Sequence, residues 1–517
     1  MTPDLLLAID VGTQSVRAIA FDRNGRPVAQ QRVRLDPPFV APEPGWAEMD
    51  AEVYLDSAVQ ACRGLWSEIE PARIAALALT TQRGTLVNAD SAGRPLRPAI
   101  VWPDQRLCSA PPALGVLWSA LFAAAGAREL LRQLQRQAEA NWIAEHEPAI
   151  WARSERCLLL SGWLTHALVG DWVDSAACQV GYLPFDYRRQ QWARPGDWRW
   201  KALAIRPGQL PRLVAPGQRL GGLTPAAAAR LGLAPGLPLI AAAADKACEV
   251  LGSGGHDADC AHLSFGTAAS INTTQPRYLE VQRLLPAYPA ALPGSFNTEV
   301  HIQRGFWLVS WFGQQFGQAE AAHAAALGIE PEALFEPLLD QTPPGAQGLT
   351  LLPHWSPGLR DPGPEAKGAV IGFGDVHGRA HLYRAIIEGI VHQLRAGREL
   401  TEKKLGRRLA RLVVSGGGSR SAGAVQIAAD VFGLAAERPR LTDSSALGAA
   451  MLAAAGLGWY PDVASAARAM AGPTERFEPR PENVALYERL HREVFAPLAP
   501  RLAPLNRRLR AITGYPG

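Results

Sequence analysis

The chain has 517 residues, a mass of 55.5 kDa and a formal net charge of +4, with 48% hydrophobic and 19% charged residues. That composition builds full apolar cores and excludes disorder for the bulk of the chain. The small charge, without Lys/Arg blocks interleaved with aromatics, argues against nucleic acid as a partner, and no uncharged stretch reaches the roughly 20 apolar residues of a membrane span.

From the N-terminus, Leu5 to Asp10 is a short apolar run ending on an acid, too short and too acidic at both flanks for a signal peptide. Gly12-Thr13 makes a turn, and Val16 to Phe21 is a second β-prone run. Asn24-Gly25 is a hairpin signal. Val28 to Leu35 alternates as a third strand. Asp50 is placed to cap a helix whose inner face carries Val53, Tyr54, Ser57, Ala58, Ala61, Cys62 and Leu65. Ile74 to Leu79 reads as a buried strand. Residues 113–134 are helical in composition, as is Trp142 to Glu147 before Pro148.

Leu237 to Ala244 is a further apolar run ending at Asp245. His262 to Phe265, Gly266-Thr267 and Ser270 to Thr274 then repeat the opening design of strand, Gly-Thr turn and strand. Asp10-Val11-Gly12-Thr13 and Ser264-Phe265-Gly266-Thr267 are an internal echo. Later, Leu412 to Ser415 is a strand, Gly416 to Gly418 a loop and Ala422 to Phe432 a helix. Ser444 or Ser445 is expected to cap a last Ala-rich helix through Ala455. The shift in composition near 250–260 divides the chain into two α/β lobes, 1–250 and 251–517. The six cysteines, Cys62, Cys108, Cys157, Cys178, Cys248 and Cys260, form no C-x-x-C pair and fit reduced thiols of a cytoplasmic protein.

The signatures of P-loop, Rossmann, zinc-protease and serine-hydrolase proteins are missing. The two Gly-Thr turns offer another way to hold phosphate. Glycine lets an anion approach the backbone, consecutive N–H groups form an anion-binding concavity, and Thr or Ser hydroxyls add donors. One turn from each lobe would clamp a polyphosphate. Asp10, at the mouth of the first, is a candidate to hold Mg²⁺ through water. Read without a family, each turn is equally an ordinary hairpin, and Asp245 equally a helix N-cap.

These segments resemble the FGGY family of carbohydrate kinases, of the actin-like ATPase superfamily. Asp10 to Arg17 is similar to that family's first phosphate motif. Thr80-Thr81-Gln82-Arg83-Gly84 and Gly93 to Arg106 resemble its sugar-side segment. Gly368 to Phe373 and His381 to Gly389 fit its later signature. Ser415 to Ser419 resembles its adenosine loop, and Ala446 to Ala450 its closing helix. The marks run in family order from residue 5 to about 455. The resemblance implies two ribonuclease-H-like lobes around a deep cleft, with transfer of the ATP γ-phosphoryl group to a hydroxyl of a small sugar or polyol. It implies Asp245 as general base, Asp10 on magnesium and Thr13, Gln14, Ser15 and Arg17 towards the γ-phosphate. Gly266 and Thr267 would face the other phosphates, and Gly417 and Ser421 the nucleoside. Gln82, Arg83, Gly84, Trp102 and Lys246 would line the sugar pocket. A homodimer is compatible with it.

The departures lie on the sugar side. Gln82-Arg83-Gly84 shares two residues with the Gln-Arg-Glu of glycerol kinases and one with the Met-His-Gly of xylulose kinases, and Lys246 replaces the Asn or Gln usual after the base. A ketopentose such as D-xylulose is the leading substrate. Glycerol, another polyol or a sugar acid is the rival, and a non-catalytic ATP-switch module is the alternative of a different class. A cation at Lys246 would lower the pKa of Asp245 against the effect of burial. With Arg83 it would favour an acidic or densely oxygenated substrate; turned away, it would make an ordinary ion pair.

Overall fold

The computed structural model describes residues 3–282, 285–358 and 362–515. Two mixed sheets organise it. The first contains β1 (Leu5–Val11), β2 (Ser15–Phe21), β3 (Pro27–Arg34), β4 (Ile74–Thr81), β5 (Arg219–Gly222) and β6 (Pro238–Ala241), in the order β5-β6-β4-β1-β2-β3. The second contains β7 (Cys260–Phe265), β8 (Ala269–Gln275), β9 (Tyr288–Pro289), β10 (Phe296–Ile302), β11 (Arg411–Ser415), β12 (Ala436–Pro439) and β13 (Thr474–Phe477), in the order β9-β10-β8-β7-β11-β12-β13.

The repetition seen in sequence is a repetition of topology. In the first sheet β1 pairs antiparallel with β2 and parallel with β4. In the second, β7 pairs antiparallel with β8 and parallel with β11. Asp10 lies beside Thr80 in one parallel ladder, and its echo Ser264 lies beside Ser415 in the other. Strands β1 and β7 are buried along their whole length. Such a strand is covered on both faces, which is why β1 reads as a continuous apolar run up to Asp10; β7 instead buries His262 and Ser264, whose side chains are satisfied by Ser415 and Glu249.

The local signals map closely onto the elements. Asp50 caps α1 (Ala51–Leu65) by accepting from the Glu52 N–H. Of the expected inner face, Val53 is exposed and Leu55 is buried in its place. Residues 113–134 do not form one helix: Val116–Ala124 and Arg128–Gln137 are separated at Gly126, whose φ of +63° is left-handed. Asp245 opens α2 (Asp245–Gly252) in its first turn, with Ala244 at the cap position, so the N-cap reading fails. The long helix α3 (Arg379–Leu405) and α4 (Ala422–Phe432) pack with the second sheet in one core.

The Ala-rich helix α5 (Ser444–Gly456) is preceded by Asp443 at its cap position, and Ser444 is its first helical residue rather than its cap. Its alanines pack under the first sheet, against Leu6, Ala8, Ala76 and Ala78. It crosses α2 through two glycines. A Cβ on Gly448 would stand 2.0 Å from the Cys248 carbonyl oxygen, and one on Gly252 would stand 2.0 Å from that of Ser444. Only glycine allows backbones this close. The crossing fixes α2, and Asp245 with it, against an element from the far end of the chain.

Candidate active site

The first Gly-Thr turn is set by the β1–β2 register. Val11 stands opposite Val16, and the Gly12 N–H donates to the Ser15 carbonyl at 3.1 Å. Ser15 is buried and Gln14 exposed. Thr13 reaches across to the sugar-side segment: its hydroxyl donates to Gln82 Oε1 at 2.6 Å and accepts from the Trp102 indole N–H at 2.8 Å. The Gln82 amide in turn donates to the Tyr54 hydroxyl at 3.0 Å. Burial of Tyr54 pushes its hydroxyl up to about 12, so it stays protonated. Trp102 is 47% exposed rather than packed in the core. Gly84, at φ +65°, donates its N–H to the Val180 carbonyl, which anchors the loop after Arg83.

Asp10 is buried at the end of β1, directly across the ladder from Arg17. The Arg17 guanidinium lies 3.6 Å from Asp10 and 3.2 Å from Asp443. Burial raises the Asp10 carboxyl; Arg17 opposes this, Asp245, Asp443 and Glu249 add to it, and the result is about 7. The unfolded chain would hold this carboxyl near the ordinary value. The native state therefore binds the extra proton, and stability falls as pH rises from about 4, with the full penalty present above about 7. Asp10→Asn is expected to melt at a higher temperature than the wild type at pH near 8, with the gain vanishing towards pH 4. Thermal melts across that range check it; a gain independent of pH would contradict it.

Asp245 lies beside Arg83, with Arg83 Nε 4.0 Å from Oδ1. Its carboxylate accepts from the Lys246 N–H at 2.7 Å. Burial raises its pKa, and Arg83 first, then Lys246, oppose the rise. Arg83 is itself held by Glu299 on β10 in a bidentate pair, Nη1–Oε2 2.7 Å and Nη2–Oε1 3.0 Å. Burial would lower the guanidinium and raise the carboxyl, but their mutual attraction wins: Arg83 is pushed up and Glu299 down to about 2. Arg83 also lies 5.4 Å over the Tyr288 ring. A cleft is lined by Arg83, Lys246, Asn272, Tyr288, Asn297 and Glu299, side chains contributed by both halves of the chain.

Lys246 does not leave its ammonium group free beside Arg83, nor does it make a surface ion pair. Nζ donates to Glu249 Oε2 at 2.8 Å and to the Ser264 hydroxyl at 2.6 Å. Glu249 also accepts from Ser264 and from Ser415, whose hydroxyl in turn meets His262 Nε2 at 2.8 Å. Burial pushes Glu249 up, but Lys246 and the Ser415 hydroxyl outweigh it and bring it to about 2. Burial takes His262 down to about 4.

The second Gly-Thr turn follows Ser264. The Gly266 and Thr267 carbonyls accept from the N–H groups of Phe306 and Trp307, and Thr267 is exposed. On the third segment, Gly417 is exposed with open space around its Cα. Ser421 caps α4, accepting from the Ala424 N–H and donating to Glu336. The structure thus joins Thr13, Gln82 and Trp102, joins Asp10 with Arg17, joins Arg83 with Asp245, and puts Lys246 beside Gly266. Gly417 and Ser421 stand on a separate loop. Sequence reasoning missed Tyr54 and Glu249 as site residues, and Glu299 and Asp443 altogether. Only Glu249 had a local signal, its i,i+3 spacing from Lys246.

Residues 5–252 match the N-terminal domain of the FGGY family of carbohydrate kinases, and residues 261–457 match its C-terminal domain. The chain is similar to a xylulose kinase of Lactococcus lactis, 27% identical over 94% of this chain and 95% of the relative. It is 31% identical to a glycerol kinase of Dechloromonas aromatica over 95% and 96%. Among solved structures, a xylulose kinase from Rhodospirillum rubrum superposes with a TM-score of 0.80 at 26% identity, covering 97% of this chain and all of that one. The chain belongs to the FGGY family of carbohydrate kinases, with the two-lobe actin-like ATPase fold, and it is a sugar kinase. Kinases of this family use ATP, generally with Mg²⁺. Among the described residues no helix is long and apolar enough to cross a membrane.

Proposed function

We propose that the protein phosphorylates a neutral ketopentose such as D-xylulose. The observation that carries the reading is charge balance in the cleft. Arg83 is matched by Glu299 and Lys246 by Glu249, and Asp245 adds a further carboxyl beside Arg83. A pocket with no surplus cation favours an uncharged substrate over a sugar acid. A non-catalytic ATP switch would need neither the carboxylate beside Arg83 nor the donors around it.

In this reading Asp245 accepts the proton of the attacking sugar hydroxyl. The sugar oxygen forms a bond to the γ-phosphorus, and the bond from that phosphorus to the β,γ-bridging oxygen breaks. ADP leaves with that electron pair. Burial keeps the pKa of Asp245 above the ordinary carboxylate range, which strengthens it as a base. Arg83 and Trp102 supply donors and an apolar face to the sugar. The first turn and Arg17 face the γ-phosphate, Gly266-Thr267 the remaining phosphates, and Gly417 and Ser421 the nucleoside. The sugar would sit mainly on the 1–250 lobe and the adenosine on the 251–517 lobe.

The donor set at Asp10 fits magnesium held indirectly. The carboxyl is crowded by other acids, and among the described residues no three His, Cys, Asp or Glu side chains converge to bind an ion directly. Bound through water and phosphate oxygens, magnesium would neutralise charge on the phosphates.

Glycerol is the second reading, favoured by Gln82-Arg83 and the Dechloromonas relative. A coupled ADP-release screen over pentuloses, pentitols, glycerol, hexuloses and sugar acids separates them. The expected result is the highest kcat/KM with a pentulose and little turnover of sugar acids. Glycerol as the best substrate, or a sugar acid, would replace this reading.

A further inference from the structure

We propose that Lys246 is a nucleotide-phosphate residue of this kinase, reaching the β- and γ-phosphates at the second Gly-Thr turn, rather than a sugar ligand. The inference rests on the kinase reading above but concerns a different substrate of the same reaction.

The two turns are built alike and charged oppositely. In the first lobe the strand residue before the turn is Asp10, a carboxyl beside Thr80 of the parallel neighbour. In the second lobe the corresponding residue is Ser264, a neutral hydroxyl beside Ser415. Lys246 reaches that hydroxyl from α2 and places an ammonium group where the first lobe places an acid. A Cβ built on Gly266 would lie 3.5 Å from Lys246 Nζ, so the cation sits against the turn itself. The carbonyls of Gly266 and Thr267 are held by Phe306 and Trp307, and among the described residues the N–H groups of Gly266 and Thr267 have no protein acceptor. Free N–H groups in a glycine turn with a lysine beside them form an anion site. A polyphosphate lying between the lobes would meet the acid, and any cation it holds, at one turn and the lysine at the other.

The network around Lys246 is suited to releasing it. Glu249 accepts from Lys246 and from the hydroxyls of Ser264 and Ser415. When the ammonium group turns to a phosphate oxygen, the carboxylate keeps both hydroxyl donors. Glu249 is thus a positioning residue that aims Lys246 before ATP arrives. The lysine has only to swing from one acceptor to another on a long side chain, while Asp245, its neighbour in the chain, faces Arg83 and the sugar side of the cleft.

The test is Lys246→Met and Lys246→Arg, with the double variant Lys246→Met/Glu249→Gln so that no buried carboxylate is left unpaired. ATP, ADP and AMP are titrated without sugar, and KM for ATP and for the best sugar of the screen are measured separately. Loss of the cation is expected to weaken ATP binding at least roughly tenfold in both Met variants, with AMP binding unchanged, sugar KM within about twofold and partial recovery in Lys246→Arg. Unchanged ATP binding in the folded double variant, a rise in sugar KM instead, or equal losses for ATP and AMP would overturn the proposal. If the wild-type protein turns over no sugar, the kinase reading fails by itself, and the comparison of ATP with AMP still decides the role of Lys246.

Discussion

Asp245→Asn is expected to bind ATP nearly as well as the wild type and to lower kcat by about 10²–10⁴-fold, the range in which a positioned general base contributes. The substitution keeps the shape of the side chain and an oxygen to accept from the Lys246 N–H, so α2 should start in the same place. Arg83 keeps its bidentate partner Glu299, so no cation is left unmatched. What disappears is the capacity to take the hydroxyl proton. Burial raises the pKa of Asp245 against Arg83 and Lys246, so the acidic limb of the wild-type kcat/KM profile should lie above the ordinary carboxylate range. Single-turnover phosphorylation and an ATP titration check the two halves separately. Turnover at the wild-type rate would remove Asp245 as the base.

What the sequence disclosed about this site, and what it withheld, follows from how local each signal is. The repeated strand–turn–strand units were legible because hairpin registers are fixed by a few adjacent residues. The span of α4 and the Asp50 cap were legible for the same reason, since caps act within one turn. The cap of α5 was misplaced by one residue, because Ser444 and Ser445 follow Asp443 and all three suit such a position. Glu299 was invisible: it sits mid-strand in β10, and its partner Arg83 is 216 residues away. Asp443 pairs with Arg17 from the opposite end of the chain. The direction of Lys246 depended on Ser264, a residue of the next lobe, so spacing alone could only place it near the base. Motifs located the turns, and long-range ion pairs, which have no periodicity, decided the electrostatics between them.

Glu299→Leu is expected to be among the most damaging single changes outside the core. The Glu299 side chain is 7% exposed and that of Arg83 24%, so the pair is largely desolvated. Removing one partner of a buried pair costs about 3–5 kcal/mol, because the remaining charge stays uncompensated. The residual access of Arg83 to water places the expected loss near the lower end. Activity should change too, and in a direction set by geometry. The freed guanidinium has a carboxylate 4.0 Å away at Asp245. Pairing with it would lower the pKa of the base, moving the acidic limb of the pH–rate profile to lower pH and reducing the rate at neutral pH. The double variant Arg83→Met/Glu299→Leu removes both charges and should recover most of the lost stability. It should not recover the rate if Arg83 contacts the sugar. Urea melts of both variants, together with their pH–rate profiles, separate the structural loss from the catalytic one. An unchanged melt and an unmoved acidic limb in Glu299→Leu would mean that Glu299 neither supports Arg83 nor shields Asp245 from it.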